Sequence, residues 1–181
     1  DMIVFSGSSH PNLAERVAQR LGKPLGQSQA VKFTNENIMV RIGDNCREKD
    51  VFVIQTSSTP VSDNLVELLI YLDAIKYSSA ARVTAVLPYF PYCRSDKKDE
   101  PRISVAARLM ADLIQTAGAA RVLTMNLHSP QIQGFFRIPV DQLLAAPIFF
   151  EYFENVLFKE ERKEDFVLVM SDAGAAKAFG Y

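Results

Sequence analysis

The sequence predicts an α/β fold in three layers, with a parallel sheet between helices on both faces. Short apolar, β-branched runs recur along the chain, at MIVFS (2–6), VFVIQ (51–55) and RVTAVL (82–87), and such runs are typical of buried parallel strands. Segments with apolar residues at helical spacing alternate with these runs. Alternating strands and helices indicate a sheet wound on both sides.

The first element is a strand at 2–6, followed by a Gly-Ser-Ser turn and a helix. Leu13, Val17 and Leu21 repeat every four residues, and Gly22 ends the helix. A Gly/Ser turn before a helix can hold an anion, although a simple capped turn also explains the pattern and is the interpretation we favour. Strand-like runs at 30–33 and 38–42, joined by four polar residues, then predict a hairpin.

The later elements follow the same alternation. The strand at 51–55 leads into a loop and a helix marked by Leu65, Leu68 and Leu72. A strand at 82–87, a long loop at 88–102 and a helix over 105–114 come next, and then a strand at 121–125. Residues 148–158 are helical in period and aromatic-rich, which favours core or subunit contact, and FVLVM at 166–170 predicts a further strand.

Composition excludes several classes of partner and site. Twenty basic and 21 acidic residues give a net charge of -1, so we expect no overall attraction to nucleic acid or to an anionic membrane, and any anion site must be local. The two cysteines form no disulfide or zinc pattern, which favours a reducing compartment. With no apolar run of membrane-spanning length and no signal pattern, we predict a cytoplasmic protein. Because Asp1 replaces Met, we expect a few residues to precede it.

The loop PYFPYCRSDKKDEPR at 88–102 is the principal candidate site. It leaves the carboxyl end of a predicted strand, where open α/β sheets bind ligands. Its cations suit phosphate groups, but a solvated loop neutralised by its own acids is an equal alternative. The cations are Arg94, Lys97, Lys98 and Arg102, and the acids are Asp96, Asp99 and Glu100. His128 also follows a predicted strand, although a lone histidine is more often a packed or capping group than a ligand.

Several blocks together resemble one family, ribose-phosphate pyrophosphokinase. They are FSGSSHPNLA, RIGDNCREKDVFVIQTSSTPVSDNLVELL, LPYFPYCRSDKKDEPR, NLHSPQIQGFFRIPVDQL and SDAGAAK. The resemblance implies a type I phosphoribosyltransferase-like fold with a β-hairpin flag, an N-terminal domain over 1–145 and the start of a second, similar domain over 146–181. It also implies a homo-oligomeric, Mg²⁺-dependent enzyme that moves the β,γ-diphosphoryl group of ATP onto the 1-hydroxyl of ribose 5-phosphate, for nucleotide biosynthesis.

The resemblance also implies roles for individual residues. The hairpin would hold the adenine of an ATP bound mainly by a neighbouring subunit, and the central loop would reach the same nucleotide. His128 and Asp172 would lie at the metal, and His128 and Arg94 would be catalytic. An allosteric site for phosphate or ADP would form at subunit contacts. The ATP-binding set is Phe33, Asn35, Glu36, Asn37, Arg94, Ser95 and Asp96, and the allosteric set is Arg47, Lys98, Arg102 and Gln133.

The chain also departs from the family pattern. Asn37 and Asn126 stand where carboxylates are usual, and an amide is a poorer magnesium ligand than a carboxylate. The family's second half, which grips ribose 5-phosphate, is not within these 181 residues, so we expect them not to turn over substrate alone. The alternative is a catalytically silent or regulatory subunit of a phosphoribosyl pyrophosphate synthetase complex.

Overall fold

Among the residues that the structure describes, seven strands form a five-stranded sheet and a separate hairpin. A computed structural model describes residues 1–160, 162–167, 169 and 170. The strands are β1 (Met2–Ser6), β2 (Ser28–Lys32), β3 (Ile38–Ile42), β4 (Asp50–Ile54), β5 (Arg82–Leu87), β6 (Arg121–Met125) and β7 (Val140–Leu143). The large sheet has the order β1-β4-β5-β6-β7, and all of its pairs are parallel. The predicted parallel sheet is therefore confirmed.

Helices cover both faces of this sheet. They are α1 (Pro11–Arg20), α2 (Val61–Tyr77) and α3 (Ala106–Ala117). Phe5 and Val53 belong to a core that includes buried residues of α2 and α3, whereas Val4 and Ile54 pack with Ala14 of α1. Successive strand residues point to opposite faces, so one apolar strand serves both layers. This arrangement confirms the three-layer prediction.

The predicted hairpin is also present. β2 and β3 pair antiparallel, with Ala30 opposite Val40. Ala30, Val40 and Ile42 are partly buried against the core that contains α2. The Lys32 ammonium lies 2.7 Å from an Asp63 carboxylate oxygen at the start of α2. The hairpin is therefore attached to α2 by apolar packing and by an ion pair.

The chain divides into two compact units, Asp1–Leu143 and a second unit that begins at Leu144. The second unit contains α4 (Ala146–Tyr152), a π-helical turn (Phe153–Leu157), α5 (Phe158–Glu160) and a 3₁₀ turn (Lys163–Asp165). The helical prediction for 148–158 is confirmed. Assigning these units to the two domains expected at 1–145 and 146–181 stays a proposal. No helix in the described ranges is both long and apolar enough to cross a membrane.

The strand predicted at 166–170 is wrong for the residues that the structure describes. Phe166, Val167, Val169 and Met170 have no strand assignment. A strand needs a neighbouring strand to accept its backbone hydrogen bonds, and the other described elements of this unit are helical turns. Val167 and Val169 are accordingly exposed rather than buried in a sheet.

Candidate functional site

Four loops leave the same edge of the large sheet, which is the one formed by the carboxyl ends of its parallel strands. Because β1, β4, β5 and β6 are parallel neighbours, their carboxyl ends lie side by side. Hydrogen bonds join adjacent loops across this edge: the Ser57 amide donates to the Tyr89 carbonyl at 3.4 Å, and the Ser9 hydroxyl donates to Gln55 Oε1 at 2.7 Å. The edge is therefore a connected surface, in the position where parallel α/β sheets bind ligands.

The loop after β1 is hydrogen-bonded to a buried carboxylate of α2. The Ser8 amide donates to Glu67 Oε1 at 2.7 Å, and the Ser8 hydroxyl donates to Glu67 Oε2 at 2.5 Å. Glu67 is only 5% exposed, so this carboxylate occupies the donors of Ser8 that an outside anion would need. The His10 imidazole caps α1 by accepting from the Leu13 amide at 3.3 Å. These contacts agree with the capped-turn interpretation of the Gly-Ser-Ser segment.

The role of Glu67 was not predicted from the sequence. Its position offered a clue, because a carboxylate occurs among the apolar residues Leu65, Leu68 and Leu72 of one helix. Buried carboxylates need hydrogen-bond donors, and in the structure these donors come from the Ser-rich turn after β1. Gly7 belongs to the same arrangement, because a Cβ at this position would overlap the Gln55 side chain.

The central loop folds back to cap α3. The Ser95 hydroxyl donates to the Ser104 carbonyl at 2.8 Å and accepts from the Ala106 amide at 3.3 Å. The Ser95 carbonyl accepts from the Ala107 amide at 3.0 Å. Ser95 therefore satisfies two amides of the first turn of α3 from about ten residues upstream. Its predicted contact with a nucleotide stays a prediction.

Arg94 projects from a well-anchored part of the central loop. Phe90 and Cys93 are buried in the main core, and Arg94 is exposed. Tyr92 adopts a positive φ of 55°, and its hydroxyl lies 3.0 Å from the Ser62 hydroxyl at the start of α2. The loop therefore presents a cation on a fixed backbone.

His128 lies on the next loop along the same edge. The Asn126 amide donates to the Leu143 carbonyl at 3.0 Å, which links the end of β6 to the end of β7. Leu127 is buried and His128 is exposed, and a 3₁₀ turn (Pro130–Phe135) follows. Since β5 and β6 pair directly, Arg94 and His128 follow neighbouring strand ends. The structure thus places both residues on loops that leave one edge of the sheet, as the sequence predicted.

The hairpin tip carries the residues predicted to hold adenine. The Phe33 amide donates to the Asn37 carbonyl at 2.8 Å, and the Asn37 amide donates to Asn35 Oδ1 at 3.2 Å. Glu36 takes a positive φ of 67° in the turn. Phe33 is 47% exposed, which leaves its ring available for a contact outside this chain.

The predicted allosteric residues lie on two different edges. Lys98 and Arg102 are exposed on the loop after β5, and Gln133 lies on the loop after β6, where its amide donates to Gln142 Oε1 at 3.3 Å. Arg47 instead precedes β4, at the amino end of the sheet. One copy of the chain therefore distributes these four residues over loops at opposite ends of the strands.

The described residues do not form a metal site by themselves. Within those ranges no group of three or more His, Cys, Asp and Glu side chains is arranged to hold a metal ion. Asp172 lies outside the described residues. Magnesium is commonly held by one or two protein groups together with substrate phosphates. His128, the described member of the predicted metal-binding pair, is exposed on the loop after β6.

Comparisons with known proteins give a consistent result. The family model for the N-terminal domain of ribose phosphate pyrophosphokinase matches residues 2–118. Ribose-phosphate pyrophosphokinase from Deinococcus radiodurans is 52% identical over 176 residues, covering 97% of this chain and 54% of that protein. Ribose-phosphate pyrophosphokinase 2 from Schizosaccharomyces pombe is 46% identical over 175 residues, covering 96% and 54%.

A solved structure agrees with these sequence relatives. The crystal structure of phosphoribosylpyrophosphate synthetase from Mycobacterium smegmatis superposes with a TM-score of 0.84 at 42% identity, covering 89% of this chain and 54% of that one. The chain therefore spans about half the length of the relatives that it matches. With a family model over more than half of its residues and relatives near 50% identity, the chain belongs to the ribose phosphate pyrophosphokinase family through its N-terminal domain.

Proposed function

We propose that the protein is a ribose-phosphate diphosphokinase that converts ATP and ribose 5-phosphate to AMP and phosphoribosyl pyrophosphate. The observation that carries this proposal is the placement of Arg94 and His128 on loops from neighbouring parallel strands, in a chain of this family. The product would feed nucleotide biosynthesis, and the proposed compartment is the cytoplasm.

In the proposed reaction the 1-hydroxyl oxygen of ribose 5-phosphate attacks the β-phosphorus of ATP. The bond from that phosphorus to the α–β bridging oxygen breaks, AMP leaves with this oxygen, and the hydroxyl proton passes to solvent or to a nearby base. Catalysis of such a displacement rests on positioning and on stabilising charge at the phosphoryl oxygens. The Arg94 guanidinium suits this role because it remains charged and can donate two parallel hydrogen bonds to phosphate.

His128 is proposed to orient the phosphate tail from the second loop. Its exposed imidazole follows the buried Leu127, so the ring is presented from a fixed backbone. His128 and Asp172 are the residues proposed to hold Mg²⁺, and the metal when bound supplies positive charge to the phosphate oxygens. Asp96, partly buried on the central loop, is proposed to contact the same nucleotide.

The hairpin is proposed to supply the adenine site of a neighbouring copy. Phe33 offers an exposed ring for stacking on the base, and Asn35, Glu36 and Asn37 offer polar groups around it. Asn35 Oδ1 accepts from the Asn37 amide, which orients the side chain, and the Asn35 amide nitrogen is a donor that is proposed to meet the base. This arrangement makes self-association a requirement for nucleotide binding.

A second anion site is proposed for phosphate or ADP as effectors. Its residues are Arg47, Lys98, Arg102 and Gln133, which one chain places on opposite edges of the sheet. A contact between copies is therefore proposed to bring the three cations and the Gln133 amide around one anion. Phosphate recognition by clustered arginine and lysine side chains has a clear electrostatic basis.

The test is AMP formation by the full-length gene product with ATP, Mg²⁺ and ribose 5-phosphate. We expect turnover by the unmodified protein and a loss of about a hundredfold or more in kcat for His128→Ala. The matched control is His10→Asn, which changes the other histidine and retains a side chain able to cap α1. An unchanged rate for His128→Ala excludes His128 from the mechanism. No turnover by the unmodified protein refutes the proposed activity and favours the silent-subunit alternative.

A further inference from the structure

Five buried residues belong to the two loops that carry Arg94 and His128. We call them the edge cluster, and they are Phe90, Cys93, Leu127, Ile132 and Phe136. Each is no more than 9% exposed, and all belong to the main core. Phe90 and Cys93 come from the loop after β5, whereas Leu127, Ile132 and Phe136 come from the loop after β6. The edge cluster is therefore shared between two loops.

One aromatic contact joins the two loops directly. The rings of Phe90 and Phe136 have centroids 5.6 Å apart and planes inclined by 68°, an edge-to-face arrangement. Such pairs have a preferred geometry and contribute beyond the apolar area that they bury. Because the core is close-packed, a shift of one ring must move the other or leave a void.

Each exposed group follows a buried member of the edge cluster in sequence. Cys93 precedes Arg94, and Leu127 precedes His128. Consecutive residues are held about 3.8 Å apart along the backbone, so a displaced anchor displaces its exposed neighbour by a similar amount. The packing of the edge cluster thus constrains the backbone positions that carry the two exposed groups.

We propose that Phe136 is a positioning residue that, through its contact with Phe90, fixes Arg94 and His128 relative to each other. The catalytic consequence rests on the proposed function, whereas the mechanical link between the loops does not. Loss of the ring contact leaves both exposed groups present but misaligned. Small misplacements of catalytic groups reduce chemistry more than they reduce binding.

The activity test compares three substitutions in the full-length gene product. Phe136→Leu and Phe90→Leu each remove one ring of the pair, and Phe5→Leu removes a fully buried ring of the same core on β1. We expect kcat to fall roughly tenfold for the first two, with KM for ribose 5-phosphate changed less than about twofold. The double variant should be no slower than either single variant, because both lose the same contact. Phe5→Leu should retain kcat at a comparable loss of thermal stability.

Phe136→Met keeps the test decisive if the leucine variant does not fold. Methionine fills irregular gaps but lacks the ring that meets Phe90, so we expect kcat to fall while folding is retained. If Phe136→Met and Phe136→Leu both have the same kcat as Phe5→Leu, the positioning role of Phe136 is overturned.

A second measurement does not depend on activity. Hydrogen–deuterium exchange followed by mass spectrometry should show that Phe90→Leu raises exchange in residues 126–137 of the other loop as well as in its own. Phe5→Leu should leave exchange in 126–137 unchanged. Exchange that rises only in the loop that carries Phe90 contradicts the proposed link. If the unmodified protein lacks turnover but Phe90→Leu still raises exchange in both loops, the proposed function fails and the link between the loops stands.

Discussion

Ser95→Ala tests whether the central loop is built to cap α3. The substitution removes a hydroxyl that donates to the Ser104 carbonyl at 2.8 Å and accepts from the Ala106 amide at 3.3 Å. Loss of a helix cap costs about 1 kcal/mol, and loss of a second hydrogen bond adds about 0.5–1 kcal/mol. The expected total is about 1.5–2 kcal/mol, because the Ser95 carbonyl still accepts from the Ala107 amide.

Thermal unfolding of the full chain provides the assay. For a chain of this size each kcal/mol shifts Tm by about 2–4 °C, so we expect Ser95→Ala to lower Tm by about 3–8 °C. Ser95→Thr retains the hydroxyl and should stay near the unmodified value. Ser104→Ala is the matched control, because Ser104 accepts this bond through its backbone carbonyl. A Tm for Ser95→Ala equal to that of Ser104→Ala, with a raised KM for ATP, refutes the capping role and favours a purely nucleotide-binding serine.

Two further predictions concern the scaffold. Gly7→Ala should destabilise the chain by about 1–3 kcal/mol in thermal unfolding, because its Cβ would overlap Gln55 Oε1, which accepts from Ser9. Gly134→Ala, with open space around it, should have little effect, and equal effects of the two substitutions contradict this reasoning. The Arg82 guanidinium donates to Asp50 at 2.9 Å and lowers the pKa of that carboxyl below its ordinary 3.8. The ion pair therefore stabilises the folded state at pH values above the ordinary pKa, and this stabilisation is lost as pH falls through the folded-state pKa. Asp50→Asn should therefore reduce the fall in unfolding free energy at acid pH, by less than about 1 kcal/mol. An unchanged fall argues against the pair.

The sheet and hairpin were predictable because their signals are local. Apolar runs such as residues 82–87 are buried on both faces, and the alternation with helices fixes a parallel arrangement. The outermost strand β7 (Val140–Leu143) was missed because VDQL alternates apolar and polar residues over only four positions. The run at 166–170 shows the opposite error, because a strand was predicted there and its described residues do not form one. An apolar segment forms a strand only when a neighbouring strand accepts its backbone hydrogen bonds.

The candidate site was predictable only in part. Arg94 and His128 follow apolar runs, so their placement at strand ends followed from sequence order and parallel topology. The Ser95 cap and the contact of Phe90 with Phe136 join residues 11 and 46 positions apart, and no local pattern encodes such tertiary contacts. The same limit applies to Glu67, whose donor Ser8 lies 59 positions away.

The central claim is that the loops after β5 and β6 hold the phosphate tail of ATP. The most direct measurement is a crystal structure of the full-length gene product with Mg²⁺ and a non-hydrolysable ATP analogue. We predict phosphate oxygens within hydrogen-bonding distance of both Arg94 and His128, with Phe33 of another copy on the adenine. A nucleotide bound with its phosphates away from both residues contradicts the claim.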